Sequence, residues 1–261
     1  MYQIGKKTSK NDGRVALVTG ATGGLGRETA LAFSHQGWRT FVAGRDKAGI
    51  ERLVADIRAD GGVSEGVSAA RLDRTEAGRI VESARESFGR IDLLVNNAGI
   101  SCGGNPLEEV TEEEWDEVID RSLKSVFLFS QAGAAAMRKQ GGGCIINVSL
   151  HAGRKTSLFA GSHHAAAKAG IIGFSRQLGK DLSKEKIRVR AVGLSLVYAG
   201  PSVTPLWDLY HEDELAKFIE DIPAGRLVSD REAATAVVSL ASCDPGRFDA
   251  AFETFVIGWG R

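Results

Sequence analysis

The chain has 261 residues, of which 43% are hydrophobic and 25% charged, so it can bury a sizeable core without disulfides or metal ions. Its 33 Lys and Arg residues balance 33 Asp and Glu residues, which excludes a strong charge that would draw it to nucleic acid or to a membrane surface. The three cysteines are far apart, and no Cys/His spacing suits zinc, so we expect a reduced, cytoplasmic protein without a bound metal.

Residues 1–13 are polar and lack the apolar core of a signal peptide, and no apolar run in the chain is long enough to span a bilayer. We therefore expect a flexible N-terminal extension over 1–13 and a single domain over 14–261.

Short β-branched runs alternate with longer amphipathic stretches, which is typical of βαβ units. The pattern predicts a single-domain α/β Rossmann fold, with a doubly wound parallel sheet of about seven strands and helices on both faces. Strands are predicted at 14–19, 39–43, 67–72, 91–95, 144–148, 187–192 and 254–257. Helices are predicted at 24–36, 46–61, 75–88, 111–139, 165–183 and after Asp230, with a capping box at Thr111 and Glu114. Residues 194–229 are predicted to be irregular, apart from a short helix near 212–220.

The first predicted strand leads directly into TGATGGLG at 19–26, and a helix is predicted to follow. A glycine-rich turn in this position lets the backbone approach a pyrophosphate and directs helix N-terminal amides at it. The candidate contacts are Gly20, Thr22, Gly24, Leu25 and Gly26.

From Arg14 onward the chain resembles the short-chain dehydrogenase/reductase family. The similarity is carried by TGATGGLG, by NNAG at 96–99, by Leu72-Asp73 and by AAAKAGIIGFS at 165–175. The resemblance implies a nicotinamide dinucleotide cofactor. It also implies that Leu72 and Asp73 lie at the adenine and that further contacts come from Asn97, Ala98, Gly99 and Lys168.

The end of the second predicted strand indicates which cofactor is used. Family members that prefer NAD usually carry an acidic residue there, whereas this chain has Ala43-Gly44-Arg45. A guanidinium pairs well with a 2′-phosphate, so Arg45, assisted by Arg27, predicts NADP(H). The alternative is that both arginines are ordinary solvated side chains.

The resemblance fails at the catalytic residues, of which only Lys168 is retained. His164 stands where the family has its proton-donating Tyr, and Leu150 stands at the catalytic Ser, with Ser149 one place earlier. Ser122 replaces the Asn of the long helix. Leu194-Ser195 replaces the Pro-Gly that follows the sixth strand. These changes favour different chemistry or none.

Two mechanisms remain open for a reductase with this site. In the first, the His164 imidazolium supplies the proton, although the neighbouring Lys168 would lower the histidine's pKa. His151 and His163 are alternates, Ser149 and Ser122 can hydrogen-bond an oxygen, and all of these side chains can instead be ordinary polar wall residues. In the second, hydride goes to a quinone or conjugated aromatic ketone, whose delocalised product anion needs no strong acid.

The second mechanism favours a flat aromatic substrate of the polyketide type. A lid is predicted over about 196–228, where Trp207, Tyr210 and Phe218 can cover such a substrate; the alternative is a helix that packs its apolar side on the core or on a second subunit.

Three functions remain open: an NADPH-dependent reductase, a non-redox cyclase or isomerase, and a catalytically inactive NADP(H)-binding protein. By analogy with the family, the two long helices over 111–139 and 165–183 predict a homo-oligomer, either a dimer or a tetramer.

Overall fold

The computed structural model describes residues 13–69, 72–100, 106–153, 161–194, 197–198, 216, 219–220, 226–242 and 252–257. Within these ranges one sheet has seven parallel strands: β1 (Val15–Thr19), β2 (Arg39–Gly44), β3 (Ser64–Ser68), β4 (Leu93–Asn96), β5 (Gly143–Leu150), β6 (Ile187–Leu194) and β9 (Phe252–Ile257). Their order across the sheet is β3-β2-β1-β4-β5-β6-β9. A separate two-stranded sheet pairs β7 (Val197–Tyr198) with β8 (Val228–Ser229).

Helices cover both faces of the seven-stranded sheet. They are α1 (Gly24–His35), α2 (Lys47–Ala59), α3 (Arg74–Phe88), α4 (Glu112–Ile119), α5 (Ser125–Gln140), α6 (Ser162–Leu182) and α7 (Asp230–Ser242). One buried cluster unites residues of α1, α2 and α7, and a second unites residues of α3, α5 and α6. Ala16 and Val18 of β1 belong to the first cluster and Leu17 to the second, as expected for a strand with both faces buried. The predicted doubly wound Rossmann fold is confirmed.

The strand order reverses between β1 and β4, because β1 continues to β2 on one side and pairs with β4 on the other. In open parallel sheets, ligands bind in the crevice outside the carboxyl ends of the strands at such a reversal. The glycine-rich turn follows β1 and the NNAG segment follows β4, so both lie at this crevice.

Several boundaries differ from the predictions. The predicted helix over 111–139 is interrupted by a π-helical turn, Asp120–Lys124, between α4 and α5. Strand β3 ends at Ser68 rather than at residue 72, and the short strands β7 and β8 fall within the stretch predicted to be irregular. Asp230 is the first residue of α7 rather than its cap. Ser229 takes the capping role, since its Oγ accepts from Glu232 N at 3.3 Å while Glu232 Oε2 accepts from Ser229 N at 3.0 Å.

Residues 1–12 of the extension predicted over 1–13, and the predicted lid aromatics Trp207, Tyr210 and Phe218, lie outside the described residues. In the part of the chain that is described, no helix has the length and apolar character needed to cross a membrane. The same part contains no group of three or more His, Cys, Asp or Glu residues arranged to hold a metal ion.

Candidate active site

The glycine-rich turn after β1 is packed so closely that Gly20 and Gly26 have no room for a side chain. Gly20 has a φ of +63°, in the left-handed region that favours glycine. A Cβ atom on Gly26 would lie 2.1 Å from the Gly20 carbonyl oxygen, and one on Gly20 would lie 2.9 Å from Ala98 Cα. The absence of side chains at these two positions lets a pyrophosphate approach the backbone at the N-terminus of α1.

Asn97 and Thr19 fix the NNAG segment against this turn. Asn97 Nδ2 donates to the Gly20 carbonyl at 3.1 Å. Thr19 Oγ1 accepts from the backbone amides of Asn97 at 3.1 Å and Ala98 at 3.2 Å. The segment that follows β4 is thus rigidly tied to the loop that follows β1.

Two predicted catalytic side chains meet at Gly99, the last residue of the NNAG segment. A Cβ atom on Gly99 would lie 3.5 Å from Lys168 Nζ and 3.5 Å from Ser122 Oγ. The space left by this glycine is therefore bordered by an amine from α6 and a hydroxyl from the π turn. The structure brings Lys168, Ser122 and the glycine-rich turn to one end of the crevice.

Ser122 is fully buried, and its Oγ has no hydrogen-bond partner among the described residues. It lies in the middle of the π turn Asp120–Lys124, an irregularity that often marks a functional site. A buried hydroxyl without a partner costs free energy unless a ligand or water satisfies it.

His164 is 2% exposed and lies one helical turn before Lys168 on α6. Burial lowers the pKa of His164 to about 4, the charges of Lys168 and His163 add to the effect, and a weaker backbone interaction with Ile100 opposes it. Neither ring nitrogen makes a hydrogen bond of good geometry within the described ranges. Near neutral pH the ring is therefore a neutral imidazole.

Lys168 is 6% exposed, and burial lowers its pKa to about 8. Near neutral pH most of the lysine is still protonated, because this value lies above 7. Near neutral pH Lys168 is thus charged, whereas His164 is not.

Ser149 is fully buried at the end of β5, and its Oγ donates to the Lys168 carbonyl at 2.9 Å. This bond fastens α6 to the sheet and occupies the only hydroxyl proton of Ser149. The neighbouring Leu150 is partly buried against the core on the α1 side. His151 lies in a short 3-10 turn, His151–Gly153, but its side chain is outside the described part of the structure, as is Ser195.

His163 precedes His164 on α6 and is fully buried. Its Nε2 lies 3.3 Å from Oε1 of Glu114 on α4. The angles at this contact fall outside hydrogen-bond geometry, so both ring nitrogens lack a hydrogen-bond partner among the described residues. Sequence reasoning treated Glu114 as a helix-capping residue, because nothing in the spacing indicates that α4 faces the start of α6.

The cofactor-selecting candidates differ in their surroundings. Arg45 is exposed and forms no hydrogen bond or ion pair with any residue in the described ranges. Arg27 is paired with Asp56 at 2.8 Å and with Glu28 at 3.4 Å. Leu72 is partly buried just before α3, and Asp73 Oδ1 accepts from Glu76 N at 2.9 Å as the N-cap of that helix.

Comparison with known proteins agrees with this geometry. The sequence model of the family described as short chain dehydrogenase matches residues 14–205. The chain belongs to the short-chain dehydrogenase family. The prediction that it is an oxidoreductase of this type is thereby confirmed.

Among its relatives is a ketoacyl reductase of the monensin polyketide synthase from Streptomyces virginiae, 37% identical over 90% of this chain and 92% of that protein. The 3-oxoacyl-[acyl-carrier-protein] reductase FabG of Escherichia coli is 33% identical over 88% of this chain and 91% of its own length. A variant of actinorhodin polyketide ketoreductase, solved with NADPH, superposes with a TM-score of 0.85 at 29% identity, covering 96% of this short-chain dehydrogenase and 97% of that chain.

Proposed function

We propose that this short-chain dehydrogenase is an NADPH-dependent reductase that acts on conjugated carbonyls, namely quinones or polycyclic aromatic ketones of the polyketide type. The observation that carries the proposal is the convergence at Gly99, where Lys168 Nζ and Ser122 Oγ each lie 3.5 Å from the position of an absent Cβ, next to the glycine-rich turn. The similarity to a polyketide ketoreductase solved with NADPH supports both the cofactor and the substrate class.

The residues of the crevice fit NADP(H). The turn has no room for a side chain at Gly20 or Gly26, and its backbone suits the pyrophosphate. Arg45 is exposed and unpaired within the described ranges, so it suits a 2′-phosphate, whereas Arg27 is engaged by Asp56. Lys168 and Asn97–Gly99 would hold the nicotinamide ribose, and Leu72 and Asp73 would flank the adenine. When bound, NADPH supplies the hydride.

The protonation states of the site argue for a conjugated substrate. The pKa of His164, about 4, leaves too little imidazolium near neutral pH to serve as the acid of the reaction. The neutral ring can still donate an N–H hydrogen bond to a carbonyl oxygen, and the Ser122 hydroxyl can donate another. A delocalised enolate or phenolate needs only such hydrogen bonds and a modest acid, which the Lys168 ammonium provides.

We further propose that residues 14–261 act as one catalytic domain, with residues 196–228 as a substrate lid. The order of events at the described residues is then simple. His164 and Ser122 hold the carbonyl oxygen, the hydride adds at the far end of the conjugated system, the π electrons move onto the held oxygen as an enolate or phenolate, and that oxygen takes a proton from Lys168. The NADPH oxidation rate should fall as pH rises through about 8, because the ammonium form of Lys168 is lost.

The decisive experiment is an anaerobic measurement of NADPH absorbance loss against quinones, polycyclic aromatic ketones and saturated ketones. We expect turnover of the conjugated substrates, a loss of at least about 100-fold in Lys168→Ala and a smaller loss in His164→Ala. Lys180→Ala, an exposed lysine on the same helix, should behave as wild type. NADPH binding without turnover of any substrate would refute the reductase and favour a sensing role, whereas product formed without NADPH consumption would indicate an isomerase or cyclase.

A further inference from the structure

Lys168 is buried without a counter-ion in the described part of the chain. It is 6% exposed, and no Asp or Glu among the described residues forms an ion pair with it. Lysine side chains are almost never buried this deeply unless a carboxylate accompanies them. Because burial penalises the charged form, the site favours the neutral amine more than water does, and the pKa of Lys168 falls to about 8.

A neutral lysine in a desolvated site is a nucleophile toward carbonyl carbon. Near neutral pH about one-tenth of Lys168 is the amine, against well under one-thousandth of a solvent-exposed lysine with a pKa of about 10.4. The reactive form is therefore enriched roughly 200-fold at this residue. Lower basicity reduces the reactivity of each amine but offsets only part of this enrichment.

The Lys168 amine faces a hydroxyl across the space at Gly99. Lys168 Nζ and Ser122 Oγ are each 3.5 Å from the position that a Cβ atom on Gly99 would occupy, so they are separated by at most twice that distance. Ser122 is fully buried, and its Oγ has no hydrogen-bond partner within the described ranges. A ligand with two carbonyl groups on a three-carbon unit can meet both atoms, one by reaction with the amine and one by accepting from the hydroxyl.

Condensation would also remove the unpaired charge. An enaminone, in which the nitrogen is conjugated through a double bond to a carbonyl, is neutral at neutral pH. The buried Lys168 thereby loses the desolvation penalty of its ammonium, whereas an exposed lysine gives up a well-hydrated charge. Burial therefore favours the covalent product at Lys168 over the same product at exposed lysines.

We propose that Lys168 condenses with β-dicarbonyl compounds to form an enaminone whose remaining carbonyl oxygen accepts a hydrogen bond from Ser122. This covalent activity goes beyond the proposed reduction and needs no NADPH. It makes the protein a binder of β-dicarbonyl compounds in the absence of cofactor.

The step balances without a redox partner. The Lys168 amine attacks one carbonyl carbon, a carbon–nitrogen bond forms, and the carbon–oxygen bond of that carbonyl breaks. The oxygen leaves as water, with one hydrogen from the amine and one from the carbon between the two carbonyls. No electron is gained or lost, and addition of water reverses the reaction.

The test treats the full chain, free of NADP(H), with 2,4-pentanedione near neutral pH. Enaminone formation is followed by its near-ultraviolet absorbance and by a mass gain of one dione less one water. Fragmentation of the intact protein in the mass spectrometer locates the adduct without any substitution. Lys168→Met removes the amine, and Lys180→Met removes an exposed amine from the same helix as the matched control.

We expect Lys168 to be modified at least about tenfold faster than any other lysine, because so much more of it is neutral. Lys168→Met should lose the fast absorbance change, and Lys180→Met should keep it. Modification spread evenly over exposed lysines, or none at all, would overturn the proposal.

Ser122→Ala tests the hydrogen bond to the second carbonyl. It should lower the equilibrium amount of adduct about two- to tenfold, as expected for the loss of one hydrogen bond. Ser125→Ala is the control, since Ser125 Oγ lies 2.9 Å from the carbonyl oxygens of Arg121 and Ser122 and is engaged by the helix backbone. An adduct of unchanged stability in Ser122→Ala would refute the role of this hydroxyl.

The condensation and the reduction can fail separately. If the dione modifies Lys168 but NADPH is oxidised with no carbonyl substrate, the reductase proposal fails and the condensation stands. If NADPH is oxidised with conjugated carbonyls but the dione leaves Lys168 unmodified, the condensation fails and the reductase stands.

Discussion

At the scale of single residues, the site combines a charged lysine with a neutral histidine inside one buried crevice. Lys168 has a pKa of about 8 and His164 of about 4, and burial is the largest cause of both shifts. Two adjacent titratable groups with separated pKa values take distinct roles. Lys168 is suited to give a proton, and His164 is suited to donate a hydrogen bond without changing charge.

Arg45 leads to a prediction about cofactor choice. Its guanidinium is exposed and has no partner in the described ranges, so a 2′-phosphate would meet no competing carboxylate. Arg45→Ala should weaken NADPH binding by about 10- to 100-fold and leave NADH binding nearly unchanged, since charge-assisted hydrogen bonds contribute about 1.5–3 kcal/mol. Calorimetric titration with both cofactors measures this. Arg27→Ala serves as the comparison, because Arg27 already pairs with Asp56; an equal loss of NADPH and NADH binding in Arg45→Ala would contradict the assignment.

Burial of Lys168 leads to a prediction about stability. Below about pH 8 the lysine is protonated in both the folded and the unfolded chain, so the full penalty for burying its charge, roughly 3 kcal/mol at most, is present. Between about pH 8 and 10.5 the unfolded chain binds more protons, and stability rises with pH. Lys168→Met should therefore raise the free energy of unfolding near neutral pH, remove this rise and abolish NADPH oxidation. Urea unfolding at a series of pH values measures this free energy, with Lys180→Met as the control. A Lys168→Met protein less stable than wild type would show that interactions in the folded protein offset the cost of burying the ammonium.

The sequence indicated which residues border the crevice but not their surroundings. Spacing alone placed His164 one turn from Lys168 and predicted that the lysine would lower the histidine's pKa. The larger effect of burial depends on how α6 packs against α4, β5 and β6, which no local pattern reveals. The same applies to Ser149, whose hydroxyl donates to the Lys168 carbonyl. It applies also to Glu114, which contacts α6 about fifty residues further along the chain.

At the scale of elements, the backbone of α6 rests on the short turn that follows β5. A Cβ atom on Gly153 would lie 2.7 Å from the Lys168 carbonyl carbon and 2.9 Å from Ala169 N. The turn therefore sets the depth at which α6, and with it Lys168, sits against the sheet. The backbone of α6 cannot give way without moving the lysine.

Gly153→Ala should accordingly lower the free energy of unfolding by about 1–3 kcal/mol and reduce NADPH oxidation, because relief of the clash displaces α6. Gly78→Ala on α3 is the matched control, since nothing lies within 4 Å of its Cβ position and replacing a helical glycine gains about 0.5–1 kcal/mol. Thermal unfolding and turnover of the two variants decide the matter. A Gly153→Ala protein with wild-type activity would mean that the turn does not position Lys168.

Strand and helix order were predictable because central strands such as VALVT of β1 are apolar runs and the helices have a regular period. The π turn at Asp120–Lys124 was not predictable, because the hydrophobic period runs through it almost unbroken. The cap of α7 was predicted one residue late, at Asp230. Ser229 is the cap because Glu232 lies three residues after it and the two residues exchange hydrogen bonds between side chain and backbone amide.

At the scale of the whole molecule, the sheet order gathers the site from distant parts of the chain. The turn after β1, the segment after β4, the π turn and α6 meet because parallel strands β1 and β4 are neighbours, and their carboxyl ends share one edge. The same architecture leaves α5 and α6 side by side. Their outer surface is the candidate interface of the predicted homo-oligomer. Phe127 on α5 is 42% exposed and stacks edge-on against Phe174 on α6, with ring centroids 6.2 Å apart.

Because a large aromatic residue exposed to water is typical of an interface anchor, we expect this surface to meet its symmetry mate in the oligomer. Phe127→Asp places two charges in a two-fold interface and should weaken self-association by at least about tenfold, since aromatic anchors usually contribute more than 1 kcal/mol each. Sedimentation velocity over a concentration series gives the dissociation constant. Val63→Asp is the control. Val63 is equally exposed, at 43%, but it precedes the edge strand β3 and does not belong to α5 or α6. A wild-type chain that sediments as a monomer would refute the oligomer, and an unaltered Phe127→Asp oligomer would place the interface elsewhere on the molecule.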